Sequence, residues 1–159
     1  MGREVFFNRR LESGAEVQAA INYDEAAFGR CVGAVTPWTV AISSEGVDLG
    51  RLVGYEGDAQ TILAMHHLKP DPSAKRGFEI TVFRVRETVR TTRLDVHIFT
   101  ALERWLLKRG WRGSIVKLLK HTDPQQVIPV RTFWVKTLGF ELILAEEGRW
   151  DEHVVKRWR

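Results

Sequence analysis

One glutamate is flanked by apolar residues on a predicted strand and is a candidate catalytic base. Glu79 lies between Phe78 and Ile80, in a segment rich in β-branched and aromatic residues. A carboxylate in such surroundings is partly desolvated and could take a proton from an amine, directly or through water. A solvated glutamate at the edge of a strand is the alternative interpretation.

A run of cationic and hydroxyl side chains follows a few residues later and is suited to phosphate. The guanidinium groups of Arg90 and Arg93 present fixed forks of N–H donors that match phosphate oxygens. Asp95 opposes this, because a carboxylate near a helix N-terminus occupies the positive end of the helix dipole. The same run is compatible with an ordinary helix cap beside a solvated turn.

One strand and one helix must position these side chains. The β-branched and aromatic content of residues 78–85 predicts a largely buried strand. From Leu94 the apolar positions recur every three or four residues, which predicts an amphipathic helix. We expect this helix to end near Arg109, since Gly110 suits a left-handed cap and the preceding cations complement the helix dipole.

The segments before the central strand are predicted to be mostly extended. Strands are expected at 3–10, 37–43, 47–55 and 60–68, and one or two short helices within 16–28. The strands at 37–43 and 47–55 are expected to form a hairpin, because Ser44-Glu45-Gly46 is a turn sequence.

The segments after the helix complete a mixed sheet. Residues 114–120 predict a strand that lies parallel to the central one, since the helix crosses over between them. Asp123 is a predicted helix cap, a helix is expected over about 129–138, and residues 141–145 and 153–158 predict a closing hairpin. The fold class is therefore α/β (α+β), with a mixed central sheet of six to seven strands flanked by helices.

Length and composition indicate one domain that spans residues 1–159. No segment is apolar enough for a membrane span or a secretory signal, so we expect a cytoplasmic protein with no membrane partner. Cys31 is the only cysteine, which excludes an intrachain disulfide and a cysteine-based zinc site. The sequence lacks the motifs of serine hydrolases, zinc proteases and phosphate-loop nucleotidases.

The histidines do not predict a metal site. His66 and His67 are adjacent on a predicted strand, so their side chains would point to opposite faces. His121 follows the strand at 114–120, where open sheets of this type place ligands, although a solvated strand end explains it equally. We therefore expect no metal.

The positive charge is concentrated in the middle of the chain. The net charge is +4, yet residues 68–120 contain 13 Lys/Arg against 5 Asp/Glu. This field suits an anionic partner, whether coenzyme phosphates, nucleic acid or an acidic protein. Trp150 and Trp158 lie beside basic residues and could stack on nucleic-acid bases.

The central strand, loop and helix together resemble the acetyl-CoA signature of the GNAT N-acetyltransferase superfamily. That signature is a strand ending in Val, then about V-x-P-x-Y-R-G-x-G-x-G, then a helix of the A-L-E-x-W type. Val85 matches the Val, Arg90 matches the Arg or Gln, and residues 101–105 match A-L-E-x-W. The glycines are replaced, so the pyrophosphate loop is degenerate; the replacements are Thr91, Arg93 and Asp95.

The resemblance implies a GNAT-like fold with acetyl-CoA as co-substrate between two splayed strands. Phe83 and Val85 would give backbone hydrogen bonds to the pantetheine arm. The pyrophosphate would meet the loop residues Arg90, Thr91, Thr92, Arg93, Leu94 and Asp95.

A second segment, FWVKTLGFELI, resembles the family's F-Y-x-K-L-G-F-E but carries one extra residue before Leu-Gly-Phe. Counting back from Gly139 places Val135 where the family often has a tyrosine general acid, with Trp134 beside it. Neither side chain can protonate a leaving thiolate.

Two functions remain open on these residues. The first is an N-acyltransferase that moves an acetyl group from acetyl-CoA to an amine by direct attack, with Glu79 as base. The second is a catalytically silent GNAT-like binding module whose basic central region holds a nucleic-acid or protein partner. The acceptor amine and the oligomeric state stay open, with a homodimer as one option.

Overall fold

The computed structural model describes residues 1–30, 35–119, 129–143 and 152–158, and its strands form one eight-stranded sheet. The strands are β1 (Gly2–Arg10), β2 (Glu16–Tyr23), β3 (Val35–Ser44), β4 (Val47–Asp58), β5 (Arg76–Val85), β6 (Gly113–Leu119), β7 (Glu141–Ile143) and β8 (Glu152–Trp158). The helices are α1 (Ala59–Met65), α2 (Glu87–Thr91), α3 (Leu94–Lys108) and the π-helix α4 (Thr132–Thr137).

The sheet has the order β1-β2-β3-β4-β5-β6-β8-β7. Neighbouring strands are antiparallel except β5 and β6, which run parallel. The crossover between these two contains α3, as the sequence predicts. The mixed α/β class is confirmed, and the sheet has one strand more than the upper limit of six to seven.

The prediction of helices within residues 16–28 is wrong for Glu16–Tyr23, which forms β2. Val17, Ile21 and Tyr23 are buried on one face, and that alternation has a period of two. Ala20 is buried on the other face and interrupts the pattern, so the apolar positions can also be counted at helical spacing.

The predicted strand at residues 60–68 is also wrong, because this segment contains α1. The Asp58 carboxylate accepts a hydrogen bond from the Thr61 backbone N–H at 2.9 Å and caps the helix. Ile62 and Leu63 are buried and pack with Val116 of β6.

Residues 24–28 contain turns and no helix, so the prediction of helices is wrong there as well. The other predicted elements in the described ranges are confirmed. Glu45 and Gly46 turn the β3–β4 hairpin with φ values of 49° and 80°. Helix α3 ends at Lys108, and Gly110 takes the left-handed conformation with φ 75°. Strands β7 and β8 pair as the closing hairpin. Cys31, His121, Asp123 and Trp150 lie outside the described residues.

The hydrophobic core lies between the sheet and α3. Trp38 and Phe78 stack with ring centroids 4.2 Å apart, and both are fully buried. Ile98, Leu102 and Leu106 form the buried stripe of α3. This packing fixes α3 against β5, the two elements that flank the loop with Arg90 and Arg93.

No helix in the described ranges is both long and apolar enough to cross a bilayer. The longest, α3, has 15 residues and carries Asp95 and Glu103.

Candidate functional site

The two parallel strands diverge after a short paired stretch. β5 and β6 pair from Arg76–Gly113 to Ile80–Lys117, and the residues beyond Ile80 have no partner in β6. A cleft of about 630 Å³ opens between the diverging ends. Its lining residues are Glu79, Thr81, Val82, Phe83, Arg84, Val85, Arg90, Asp95, Lys117, Leu118, Leu119, Pro129, Val130, Phe133 and Trp134.

A β-bulge at Thr81 lies where β5 and β6 begin to diverge, after the Ile80–Lys117 pair; we call this point the fork. Val53 pairs with Val82 and Gly54 pairs with Ile80, so Thr81 is the extra residue of β5. The Thr81 carbonyl accepts a hydrogen bond from Lys117 Nζ at 2.6 Å. The Thr81 carbonyl therefore faces the gap between β5 and β6.

The edge of β5 that faces the cleft carries backbone groups of alternate residues. The Arg86 N–H donates to the Leu49 carbonyl at 2.9 Å, so the backbone of Arg86 faces β4. Backbone direction alternates along a strand, and the backbone groups of Phe83 and Val85 therefore face the same side as the Thr81 carbonyl. These are the two residues that the resemblance to GNAT acetyltransferases assigns to the pantetheine arm.

Glu79 lies on the sheet face opposite α3, among two histidines. The side chains of Glu79 and His66 expose 8% and 9% of their area. His66 Nε2 lies 3.0 Å from Glu79 Oε1, an ion-pair distance without hydrogen-bond alignment. His66 Nδ1 and His153 Nε2 are 3.2 Å apart and hydrogen-bonded. The alternative of a solvated glutamate is therefore wrong, because Glu79 is only 6% exposed.

Glu79, His66 and His153 form a chain of polar contacts in that order. A carboxylate only accepts hydrogen bonds, so the Nε2 of His66 is the nitrogen expected to hold a proton. Its Nδ1 is then the acceptor for His153 Nε2–H. Glu79 Oε1 also accepts from the Thr81 hydroxyl at 3.3 Å, whereas Oε2 is buried and has no hydrogen-bond partner in the described ranges.

Sequence reasoning did not connect His66 or His153 with Glu79. His66 is the residue that caps the C-terminus of α1, a helix predicted as a strand. His153 comes from β8, 87 residues further along the chain. Only the sheet order, which places β8 beside β6, brings it near Glu79.

The loop before α3 keeps a glycine-like backbone without glycine. Arg93 has φ 59° and is the N-cap residue of α3, with no side-chain cap. Left-handed backbone of this kind favours glycine, which is what the GNAT signature has at this position. The Thr91 and Thr92 hydroxyls both donate to the Thr88 carbonyl within α2, so neither caps α3.

Asp95 fills the anion-binding end of α3 with a carboxylate of the chain itself. Its Oδ1 accepts from the Val96 N–H at 2.8 Å, and the residue is buried, as is Leu94. Burial raises the pKa of Asp95 above its ordinary value, while its backbone hydrogen bonds and the charges of Arg90 and Arg93 act in the opposite direction. A diphosphate at this corner would meet negative charge.

Asp95→Asn is expected to tighten coenzyme A binding about fivefold, because a charge at a helix N-terminus changes the free energy by about 1 kcal/mol. The amide oxygen can still accept from the Val96 N–H.

The same substitution should also change stability. The raised pKa of Asp95 means that the folded chain disfavours its charged form, so wild-type stability is lost as pH rises through the folded-state pKa. The variant should therefore have a higher Tm than wild type at pH 7.

The Tm difference should vanish near pH 3, where both states of wild-type Asp95 are protonated. Titration calorimetry with coenzyme A and thermal melts across this pH range measure the two effects. Asp48→Asn, at an exposed position in β4, is the matched control. Unchanged or weaker coenzyme A binding by Asp95→Asn would contradict the assignment of this corner to phosphate.

The extra residue of the second segment is absorbed by the π-helix α4. The Leu138 N–H donates to the Phe133 carbonyl at 3.0 Å, a span of five residues. A π-turn accommodates one additional residue in a helix. Phe133 and Trp134 consequently form the aromatic wall of the cleft, and Val135 is not among the lining residues.

Cationic side chains surround the mouth of the cleft. Arg84 and Arg90 line it, and both are exposed, as are Arg86 and Arg93. Within the described ranges, no three His, Cys, Asp or Glu side chains lie close enough together to hold a metal ion.

No protein-family model matches the sequence, and no curated protein matches it significantly. A solved structure of a candidate GNAT-family acetyltransferase from Desulfovibrio desulfuricans matches with a TM-score of 0.50 at 12% identity. The match covers 75% of this chain and 66% of that chain, just under two thirds of its length. The chain therefore has a GNAT-like fold, as the sequence predicts.

Two Arabidopsis thaliana structures also match. One is Naa50 in complex with the bisubstrate analogue CoA-Ac-MVNAL, at a TM-score of 0.46 and 13% identity, covering 76% of this chain and 72% of that chain. The other is NAA60 in complex with a bisubstrate analogue, at a TM-score of 0.46 and 11% identity, covering 80% and 77%.

Proposed function

We propose that this chain, which has a GNAT-like fold, is an N-acyltransferase that moves an acetyl group from acetyl-CoA to a primary amine. The observation that carries the proposal is the fork between β5 and β6, where an open cleft meets a buried carboxylate with an unpartnered oxygen. Buried polar atoms are usually hydrogen-bonded, so an unpaired carboxylate oxygen beside a cleft is a candidate for a role in binding or catalysis.

The pantetheine arm would lie along the free edge of β5. Its amide groups can pair with the cleft-facing backbone of Phe83 and Val85 as an added strand would. The apolar walls, which include Leu119, Phe133 and Trp134, exclude water from the thioester. A cleft of about 630 Å³ is within the range of ligand pockets in proteins.

The phosphates would be held by side chains. Asp95 occupies the helix N-terminus, so the exposed guanidinium groups of Arg90 and Arg93 are the groups available to the diphosphate. This arrangement predicts weaker coenzyme binding than a loop of backbone N–H groups gives.

Transfer would proceed by direct attack of the amine on the thioester. Glu79 takes a proton from the incoming ammonium through Oε2, while Oε1 accepts from the Thr81 hydroxyl and lies 3.0 Å from His66 Nε2. The nitrogen lone pair forms a bond to the carbonyl carbon. The nitrogen loses its second proton to water as the intermediate collapses, the C–S bond breaks, and the thiolate leaves. Neither Trp134 nor Val135 can protonate that thiolate, so water supplies the proton.

A thermal-shift titration with acetyl-CoA tests the proposal. A ligand that binds only the folded chain stabilises it by about 2.7 kcal/mol at a concentration of 100 Kd, which raises the Tm measurably. We expect a saturable rise with acetyl-CoA and none with acetyl-pantetheine lacking the nucleotide at equal concentration. No shift at about 1 mM acetyl-CoA would contradict the proposal.

A binding module without catalysis is the second candidate, and the Asp95 carboxylate at the coenzyme corner favours it. The exposed arginines around the cleft would then meet an anionic polymer. A chain of this kind would show no acetyl-CoA shift, and its affinity for RNA or DNA would fall steeply as salt increases. Salt-independent binding would argue against a nucleic-acid partner.

A further inference from the structure

We propose that Lys117 is itself an acyl acceptor, so that the chain acylates its own cleft. This inference rests on the proposed function, because the acyl donor is acetyl-CoA bound between β5 and β6. It adds a modification site that controls access to that cleft.

The position of Lys117 at the fork carries the proposal. It is the last residue of β6 that pairs with β5, and it lines the cleft. Its Nζ is held by the Thr81 carbonyl at 2.6 Å, at the bulge where the strands begin to diverge. The amine is therefore held at the closed end of the cleft, where β5 and β6 stop pairing. The thioester of acetyl-CoA bound along β5 would lie next to it.

One residue, Thr81, contacts both Lys117 and Glu79. The Thr81 carbonyl accepts from Lys117, and the Thr81 hydroxyl donates to Glu79 Oε1. Thr81 therefore lies between the amine and the carboxylate at the bulge, and all three residues line the cleft. No other lysine in the described part of the chain lines the cleft. Lys156, for comparison, is paired with Glu103 on the other side of β6.

The reaction balances without a further reactant. The Lys117 ammonium loses one proton to Glu79 through water, and its lone pair forms a C–N bond to the thioester carbonyl carbon. The C–S bond breaks, and the nitrogen loses its second proton as the intermediate collapses. The leaving thiolate takes up one proton, so the products are acetyl-Lys117, coenzyme A and one released proton.

Acetylation would change the fork in two ways. It removes the positive charge of Lys117, and it adds an acyl group where the donor would bind. The modified chain is therefore expected to bind acetyl-CoA more weakly, which makes the reaction self-limiting.

The experiment incubates the full chain with acetyl-CoA and follows acetylation by intact mass and peptide mapping. We expect one acetyl group at Lys117, added at least about tenfold faster than at Lys108, because a positioned amine reacts faster than a free one. Lys108 is exposed at the end of α3 and serves as the internal comparison. Lys117→Arg should abolish this modification, and Lys108→Arg should not affect it.

Two further arms separate enzymatic from spontaneous acetylation. Glu79→Gln should slow the modification of Lys117, and excess coenzyme A should suppress it by competition. If Lys117 is modified no faster than Lys108 although acetyl-CoA raises the Tm, this inference is overturned and the proposed function stands. If acetyl-CoA gives neither a shift nor a modification, both are overturned.

Discussion

Glu79→Gln is expected to lower turnover by about 10² to 10⁴-fold while acetyl-CoA affinity stays nearly the same, which is the usual contribution of a general base. The amide keeps the size of the side chain and can still face His66, but it cannot accept a proton from the amine. Coenzyme A release from acetyl-CoA, measured with the primary amine that wild type uses fastest, gives turnover. Thermal shift gives donor binding.

Glu12→Gln is the matched control, because Glu12 is exposed in the β1–β2 turn and far from the cleft in the sheet order. The two variants carry the same chemical change. Equal turnover of Glu79→Gln and wild type, with donor binding intact, would remove Glu79 from the reaction and leave the histidines as a structural pair.

Gly54→Ala is expected to destabilise the fold by about 3 kcal/mol or more, since overpacking at a backbone contact has no side chain that can yield. A Cβ at Gly54 would lie 1.8 Å from the Glu79 carbonyl oxygen and 2.6 Å from the Trp38 ring. The collision would separate β4 from β5 at the bulge and displace Glu79 with it. Urea unfolding measures the loss in free energy of unfolding.

Gly46→Ala controls for the general effect of replacing glycine. A Cβ at Gly46 meets nothing within 4 Å, although φ there is 80°. That change should cost only about 1 kcal/mol, the usual penalty for left-handed backbone. If Gly54→Ala were as mild as Gly46→Ala, the close approach of β4 to β5 would be in error.

The central strand and helix were predictable because local signals agree there. Residues 78–85 are β-branched and aromatic, and the apolar stripe of α3 continues for four turns before Gly110 ends it. The two wrong predictions lack such agreement. β2 contains alanines that fit either period, and α1 has only seven residues, too few for a clear helical pattern.

The candidate site likewise contains residues whose positions the sequence predicts and residues whose positions it does not. Glu79, Phe83 and Val85 line the cleft on the strand that the sequence pattern predicts, while the roles assigned to them stay predictions. The histidines could not, since their approach to Glu79 depends on the position of β8 in the sheet. Arginine itself gives no signal for the left-handed backbone of Arg93, and only its alignment with a glycine of the GNAT signature indicates it.

The pairing of β8 with β6 has a mechanical consequence for the cleft. β8 is bonded along the whole of β6, from Gly113–Trp158 to Leu119–Glu152, and it also pairs with β7. β6, β8 and β7 therefore form one continuously hydrogen-bonded group of strands, and β1 to β5 form the other. Main-chain pairing between the two groups is confined to a short seam that stops at Ile80 and Lys117. The core against α3 and the packing of α1 on Val116 join both groups, so side-chain packing on the two faces of the sheet sets the width of the cleft together with that seam.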